Sequence, residues 1–169
     1  RTTLCSASFD LNGMFDEIER MFRLRTNEKK LAFLVERVGD LPDFVVGDEH
    51  KLRQVFINLI GNAAKFAPAG TSITIEGRRS LDGLTLAILD NGPGLPSGGE
   101  AALFNRFTRV EGDDMTGGTG LGLAIVKGFA DAMGLRVTAS NRPTSEGSRF
   151  EIFWPASLLR KPPAEAPEE

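Results

Sequence analysis

Cysteine is nearly missing from this sequence of 169 residues. Cys5 stands alone, so no disulfide framework can form within one chain, as befits a reducing compartment. No apolar run approaches the ~20 residues that span a bilayer, and the N-terminus has no signal-peptide pattern. Cationic excess is missing too. The formal charge of −3 is unlike the strongly basic footprint of a nucleic-acid binder. No internal repeat is visible. What is there is ordinary for a soluble globular protein: 41% hydrophobic and 25% charged residues, in a length that suits one domain with a sizeable core. The first residue is Arg1 rather than Met, which leads us to expect a piece of a larger protein. That parent is free to carry a membrane anchor elsewhere. The tail "RKPPAEAPEE" offers little to bury, so the expected domain is 1–155, with 156–169 a disordered tail or linker.

Periodicity outlines the fold. Asp10 is a candidate N-cap for a helix whose stripe is Leu11, Met14, Phe15, Ile18 and Phe22. "KLAFLVERV" reads as a strand, "GDLPD" as a turn and "FVVG" as a short apolar piece. Asp48 caps a second helix, with Leu52, Val55, Phe56, Leu59, Ile60 and Ala63 at helical spacing and Pro68 as the stop. "TSITIEGRR" alternates as a half-buried strand, and "LTLAIL" is apolar throughout, as a central strand should be. A third helix, "GLGLAIVKGFADAM", ends at Gly134, and the strands "LRVTAS" and "SRFEIFW" close the domain. This order predicts an α/β (α+β) two-layer sandwich: a mixed, mostly antiparallel sheet with about three helices on one face.

The second helix carries an unusual face. Gln54, Asn58, Asn62 and Lys65 fall within a sector of roughly 80°, away from the centre of the apolar stripe and expected to lie opposite the core. Solvated helix faces ordinarily use Glu, Lys and Arg, which favour helix, whereas Asn competes for backbone hydrogen bonds. An amide oxygen is a neutral ligand suited to Mg²⁺ alongside substrate phosphates, and a nearby lysine supplies a point charge for the same phosphates. A plain solvated face is the alternative.

Three glycine motifs follow. "LTLAILDNGPGLP" sets Asp90 at the end of an apolar strand, before Gly92 and Gly94. An acid there needs a donor, from a ligand or from nearby backbone N–H groups. "GGTGLGLAIVKG" places Gly117, Gly118, Gly120 and Gly122 at a helix entrance, where backbone N–H groups can hold phosphate. It matches neither a dinucleotide fingerprint nor a P-loop. Gly147 and Ser148 open the last strand. Singly, each motif is also consistent with a turn or a loop.

Jointly and in this order, the motifs closely resemble the catalytic ATP-binding domain of sensor histidine kinases. Its Bergerat-type fold is shared with gyrase, the Hsp90 chaperones and MutL. "DEHKLRQVFINLIGNAAKFAPAG" is similar to the N box, "DNGPGLP" to the G1 box, "LFNRFTR" to the F box, "GGTGLGLAIVKG" to the G2 box and "GSRF" to the last glycine motif. The resemblance runs from about residue 9 to residue 155. It implies ATP and Mg²⁺ as cofactors. Asn62 would ligate the metal, and Asn58 would support the phosphate end. Lys65 and, after the F box, Arg109 would contact phosphate and complete the catalytic set. Asp90 would accept a hydrogen bond from the adenine amine, with Gly92, Gly94 and Ser148 around the base. Residues between Phe107 and Gly118 would form a lid, and Gly118, Thr119, Gly120, Leu121 and Gly122 would line the phosphates.

Gyrase-like relatives place a glutamate where Asn58 stands. An amide is no general base at neutral pH, so the resemblance implies poor hydrolysis and transfer to another nucleophile. That nucleophile would be a histidine on a separate dimerisation domain, acting with a downstream response regulator in two-component signalling. His50, the one histidine, lies outside any such acceptor motif and reads as a surface residue of the second helix. The expected state is a monomeric cytoplasmic domain whose parent is membrane-anchored or soluble. "FDLNGMFDEIERMFRLRTNEKKLAF" resembles the entry segment of hybrid-type kinases, and Leu135 replaces a common second glycine. Two alternatives stay open: a serine kinase of the anti-sigma-factor kind, and a nucleotide-binding interaction module without kinase activity.

Overall fold

A computed structural model describes residues 7–28, 30–38, 44–95, 122–143 and 146–159. In chain order these form β1 (Ala7–Asp10), α1 (Leu11–Glu28), β2 (Ala32–Val38), β3 (Phe44–Gly47), α2 (Glu49–Phe66), β4 (Ser72–Arg79) and β5 (Gly83–Leu89). Then come α3 (Gly122–Met133), β6 (Arg136–Asn141), β7 (Ser148–Pro155) and a 3₁₀ turn, Ala156–Leu158. Five strands form one sheet in the order β2-β4-β5-β7-β6. The β2–β4 pair is parallel and the other pairs are antiparallel. The mixed, mostly antiparallel two-layer sandwich, with three α-helices among the described residues, is the architecture the sequence predicted.

Local chemistry accounts for the boundaries of α2. Asp48 turns extended and its side chain accepts from Lys51 N–H, satisfying one of the donors orphaned at a helix start. At the other end Ala67 is already extended, at φ −67° and ψ 129°, because Pro68 disfavours helical geometry in its predecessor. All six apolar positions read from the sequence are buried, with Ala64 beside them. Each fully buried Leu or Ile contributes roughly 1.5–3 kcal/mol relative to exposure. Phe56 meets Phe15 of α1 edge-on, with centroids 5.1 Å apart and an interplanar angle of 82°.

β5 is the middle strand, so its inner residues Leu84, Leu86 and Ile88 are buried against the helical layer. On the outer face Arg149 of β7 reaches across β5 to Glu76 of β4 and also pairs with Glu151. Burial pushes the Arg149 guanidinium down; Glu151 and then Glu76 more than offset this, leaving its pKa raised. Trp154 on β7 is completely buried.

Three features went beyond the sequence reading. Residues 7–10 form a strand that pairs antiparallel with β3 in a separate two-stranded sheet. Leu135, at the place of the family's second glycine, is buried in the core. Leu158 and Leu159 pack against the core, so packed structure reaches residue 159. The rest of the expected tail, 160–169, lies outside the described residues. Among the described residues, no helix is long and apolar enough to cross a membrane.

Candidate functional site

The site is assembled where the C-terminal half of α2, the turn after β5, the start of β7 and the start of α3 converge. Asp90 follows directly on the central strand and is 4% exposed. Burying a carboxylate is costly without donors, and this one has three. Gly92 N–H donates to Oδ1 at 2.8 Å, with Ser148 N–H more distant at 3.4 Å. The Ser148 hydroxyl donates to Oδ2 at 2.5 Å. A carboxylate offers about four lone-pair sites, so one acceptor position on Oδ2 is left over by these described bonds.

Two glycines here are fixed by steric necessity. A Cβ on Gly92 would sit 2.9 Å from the Phe66 carbonyl oxygen, at the last turn of α2, and 3.0 Å from Asp90 Oδ1. A Cβ on Gly147, at φ +126°, would fall 1.8 Å from the Asp90 carbonyl oxygen. The Gly92 contact ties the acid's turn to the helix that carries Asn62 and Lys65. Gly94 has its own close neighbour, the side chain of Asn141.

The amide stripe is placed differently from the expectation of a face opposite the core. Gln54 is exposed, but Asn58, Asn62 and Lys65 are half-buried. The reason is α3. A Cβ on Gly122, its first residue, would lie 3.8 Å from Asn58 Oδ1, so the third helix starts beside the stripe. Asn58 Nδ2 is shielded from solvent yet has no hydrogen-bond partner among the described residues. Such an amide costs roughly 1–3 kcal/mol until something satisfies it. Lys65 Nζ lies 5.3 Å from the ring centroid of neighbouring Phe66, near the junction with the Asp90 turn. His50 is exposed, as expected.

Of the predicted site residues, Asn58, Asn62, Lys65, Asp90, Gly92, Gly94, Gly122 and Ser148 belong to this junction. Arg109, Gly118, Thr119, Gly120 and Leu121, together with the expected lid, lie outside the described residues. Sequence reasoning missed Asn141 and Arg142, whose side chains grip the turn after Asp90. Their only signal was position, at the end of a strand beside the turn that leads to Ser148. Among the described residues, no three His, Cys, Asp or Glu side chains cluster to hold a metal. The donors at the stripe are amide oxygens, which fit a hard cation sharing its ligands with phosphate.

Comparisons with known proteins show the family. Residues 47–158 match the family described as histidine kinase-, DNA gyrase B-, and HSP90-like ATPase. The adaptive-response sensory kinase SasA of Synechocystis is 33% identical over 140 residues, covering 82% of this chain and 36% of that protein. The signal transduction histidine-protein kinase BarA of Escherichia coli is 31% identical over 155 residues, covering 88% and 16% respectively. The chain thus spans well under half the length of these relatives. Among solved structures, the mycobacterial sensor histidine kinase MprB superimposes with a TM-score of 0.76 at 29% identity, covering 89% of this chain and 97% of that one. Full-length ShkA in complex with AMPPNP gives 0.79 at 28% identity, covering 98% of this chain and 34% of that one. Fold, motif order and similarity converge: the chain belongs to the histidine kinase-, DNA gyrase B- and HSP90-like ATPase family, among the catalytic domains of histidine kinases.

Proposed function

We propose that this chain binds Mg-ATP and positions its γ-phosphate for transfer to a histidine on a separate dimerisation domain. The observation that carries the reading is the buried Asp90. Three donors hold its carboxylate in one orientation, and one acceptor site stays available for the exocyclic amine of adenine. The phosphates would then run along α2, over Asn62 and Lys65, toward the start of α3. There the orphaned Asn58 amide would find its partner. Asn62 would hold Mg²⁺ together with phosphate oxygens, and the cation would supply charge neutralisation of the triphosphate.

The chain's own residues orient rather than react. Asn58 has no basic lone pair with which to activate water, so the bound triphosphate waits for an external nucleophile. Lys65 supplies positive charge at the phosphate end, and Arg109 is proposed to do so from outside the described residues. Catalysis of this kind is mostly alignment and charge stabilisation. Within a two-component system the phosphoryl group would pass on to a response regulator, in the cytoplasm where ATP is available. We expect the isolated domain to be a monomer.

The test is incubation of the chain with γ-labelled ATP, Mg²⁺ and the parent protein's dimerisation helices. Acid-labile, base-stable label on those helices is the expected result. Acid-stable label would favour the serine-kinase alternative, and nucleotide binding without any transfer would favour an interaction module.

A further inference from the structure

The turn that carries Asp90 has few ties of its own. Asp90 N–H donates to Ser148 C=O at 3.1 Å, and no described backbone–backbone bond holds residues 91–95 beyond it. Two consecutive side chains at the end of β6 take over. Asn141 Oδ1 accepts from Leu95 N–H at 2.6 Å while its Nδ2 donates to Leu95 C=O at 3.2 Å, so the amide acts as a substitute strand partner. Arg142 Nη1 donates to the Asp90 carbonyl at 3.3 Å and to Asn91 Oδ1. Among the described residues Arg142 makes no ion pair. Its guanidinium, ordinarily matched to a carboxylate, is committed to neutral oxygens of the turn.

Gly94 shows how closely this grip is fitted. It sits at φ +83°, and a Cβ there would come within 2.7 Å of Asn141 Oδ1. The clamp therefore holds both ends of the turn, Asp90 and Asn91 by Arg142 and Leu95 by Asn141. Asp90's side chain is aligned partly by Gly92 N–H, inside the clamped segment. Loosening the clamp lets Gly92 drift, and the acceptor direction on Asp90 loses one of its anchors.

We propose that Asn141 and Arg142 are positioning residues that hold the Asp90–Leu95 turn in the geometry that selects adenine over guanine. The inference rests on the nucleotide reading above. Guanine presents a carbonyl where adenine presents an amine, so a firmly oriented carboxylate rejects it and a mobile one rejects it less.

Calorimetric titration of ADP and of GDP into the wild-type chain and its variants tests this. Arg142→Ala and Asn141→Ala should each weaken ADP by about five- to tenfold and GDP by less, narrowing the ADP-to-GDP ratio. Arg142→Lys, which keeps one cationic donor, should recover part of that ratio and carries the test if Arg142→Ala does not fold. Unchanged ADP affinity in variants with native melting would overturn the proposal. So would equal weakening of both nucleotides, or a wild-type chain that does not discriminate between them. Asp90→Asn separates the two levels. If it weakens ADP while the clamp variants do not, only the clamp fails; if it too leaves ADP unchanged, the adenine reading itself fails.

Discussion

The two ends of the candidate site are built on opposite principles. At the base end, Asp90 is enclosed and its carboxylate is held by Gly92 and Ser148 before any ligand arrives. At the phosphate end, Asn58 Nδ2 is enclosed with no partner among the described residues. One end has already met the cost of burying polar groups, and the other has left part of it for a ligand to offset. On the proposed reading, the preformed Asp90 end would fix which nucleotide enters. The unpartnered Asn58 amide would mark where binding energy is gained only when phosphate and metal are present.

Substitutions can break or sharpen that contrast. The largest effect should come from Gly147→Ala. A methyl group 1.8 Å from the Asp90 carbonyl, on a residue at φ +126°, requires β7 and the Asp90 turn to separate. A loss of about 3 kcal/mol or more in urea denaturation is expected, and a loss below 1 kcal/mol would mean the base end is not rigidly preformed. Next is Asp90→Asn. Its amide oxygen could still accept from Gly92 N–H, but its NH₂ would face the Ser148 hydroxyl in place of an acceptor and would offer the adenine amine none. Stability should fall by about 1–3 kcal/mol and ADP affinity by at least about tenfold. Unchanged ADP affinity would refute the role given to Asp90.

Asn62→Ala should leave stability nearly intact and act on the other end alone. ADP affinity with Mg²⁺ should fall by roughly tenfold, whereas affinity measured in chelator should barely move. Equal losses in both conditions would take Asn62 out of the metal's reach. The smallest effect is expected from Gly128→Ala on α3, where a Cβ would meet nothing within 4 Å. Relief of glycine's helix penalty should stabilise the fold by about 0.5–1 kcal/mol in thermal melts, with ADP affinity unchanged. A change in affinity there would show that α3 is coupled to the site along its length.

What the sequence disclosed and what it hid divide along the same line of locality. α2 was legible because its apolar positions recur every three or four residues and its caps, Asp48 and Pro68, are adjacent to what they cap. β5 was legible because a central strand needs apolar residues throughout. The pairing of β1 with β3 was not, since β1 is four residues long and its partner lies beyond α1 and β2. The half-burial of Asn58 depends on α3, a contact that the periodicity of one helix cannot contain. The clamp was hidden for the same reason. Asn141 lies 46 residues from Leu95 and Arg142 lies 52 from Asp90, so only the register of β6 against β7 brings them to the turn. Asn62 and Asp90 could be singled out because their residue types are chemically odd for their local setting. Asn141 and Arg142 are ordinary residues at a strand end, and only the fold makes them special.

The central claim is that one nucleotide bridges the two ends, its base on Asp90 and its metal-bound phosphates on Asn62. The most direct measurement is a calorimetric titration of ADP into the wild-type chain, first with Mg²⁺ and then after chelation. The account predicts a single saturable site whose affinity drops by about tenfold or more when Mg²⁺ is removed. No saturable heat in either condition, or the same affinity in both, would contradict it.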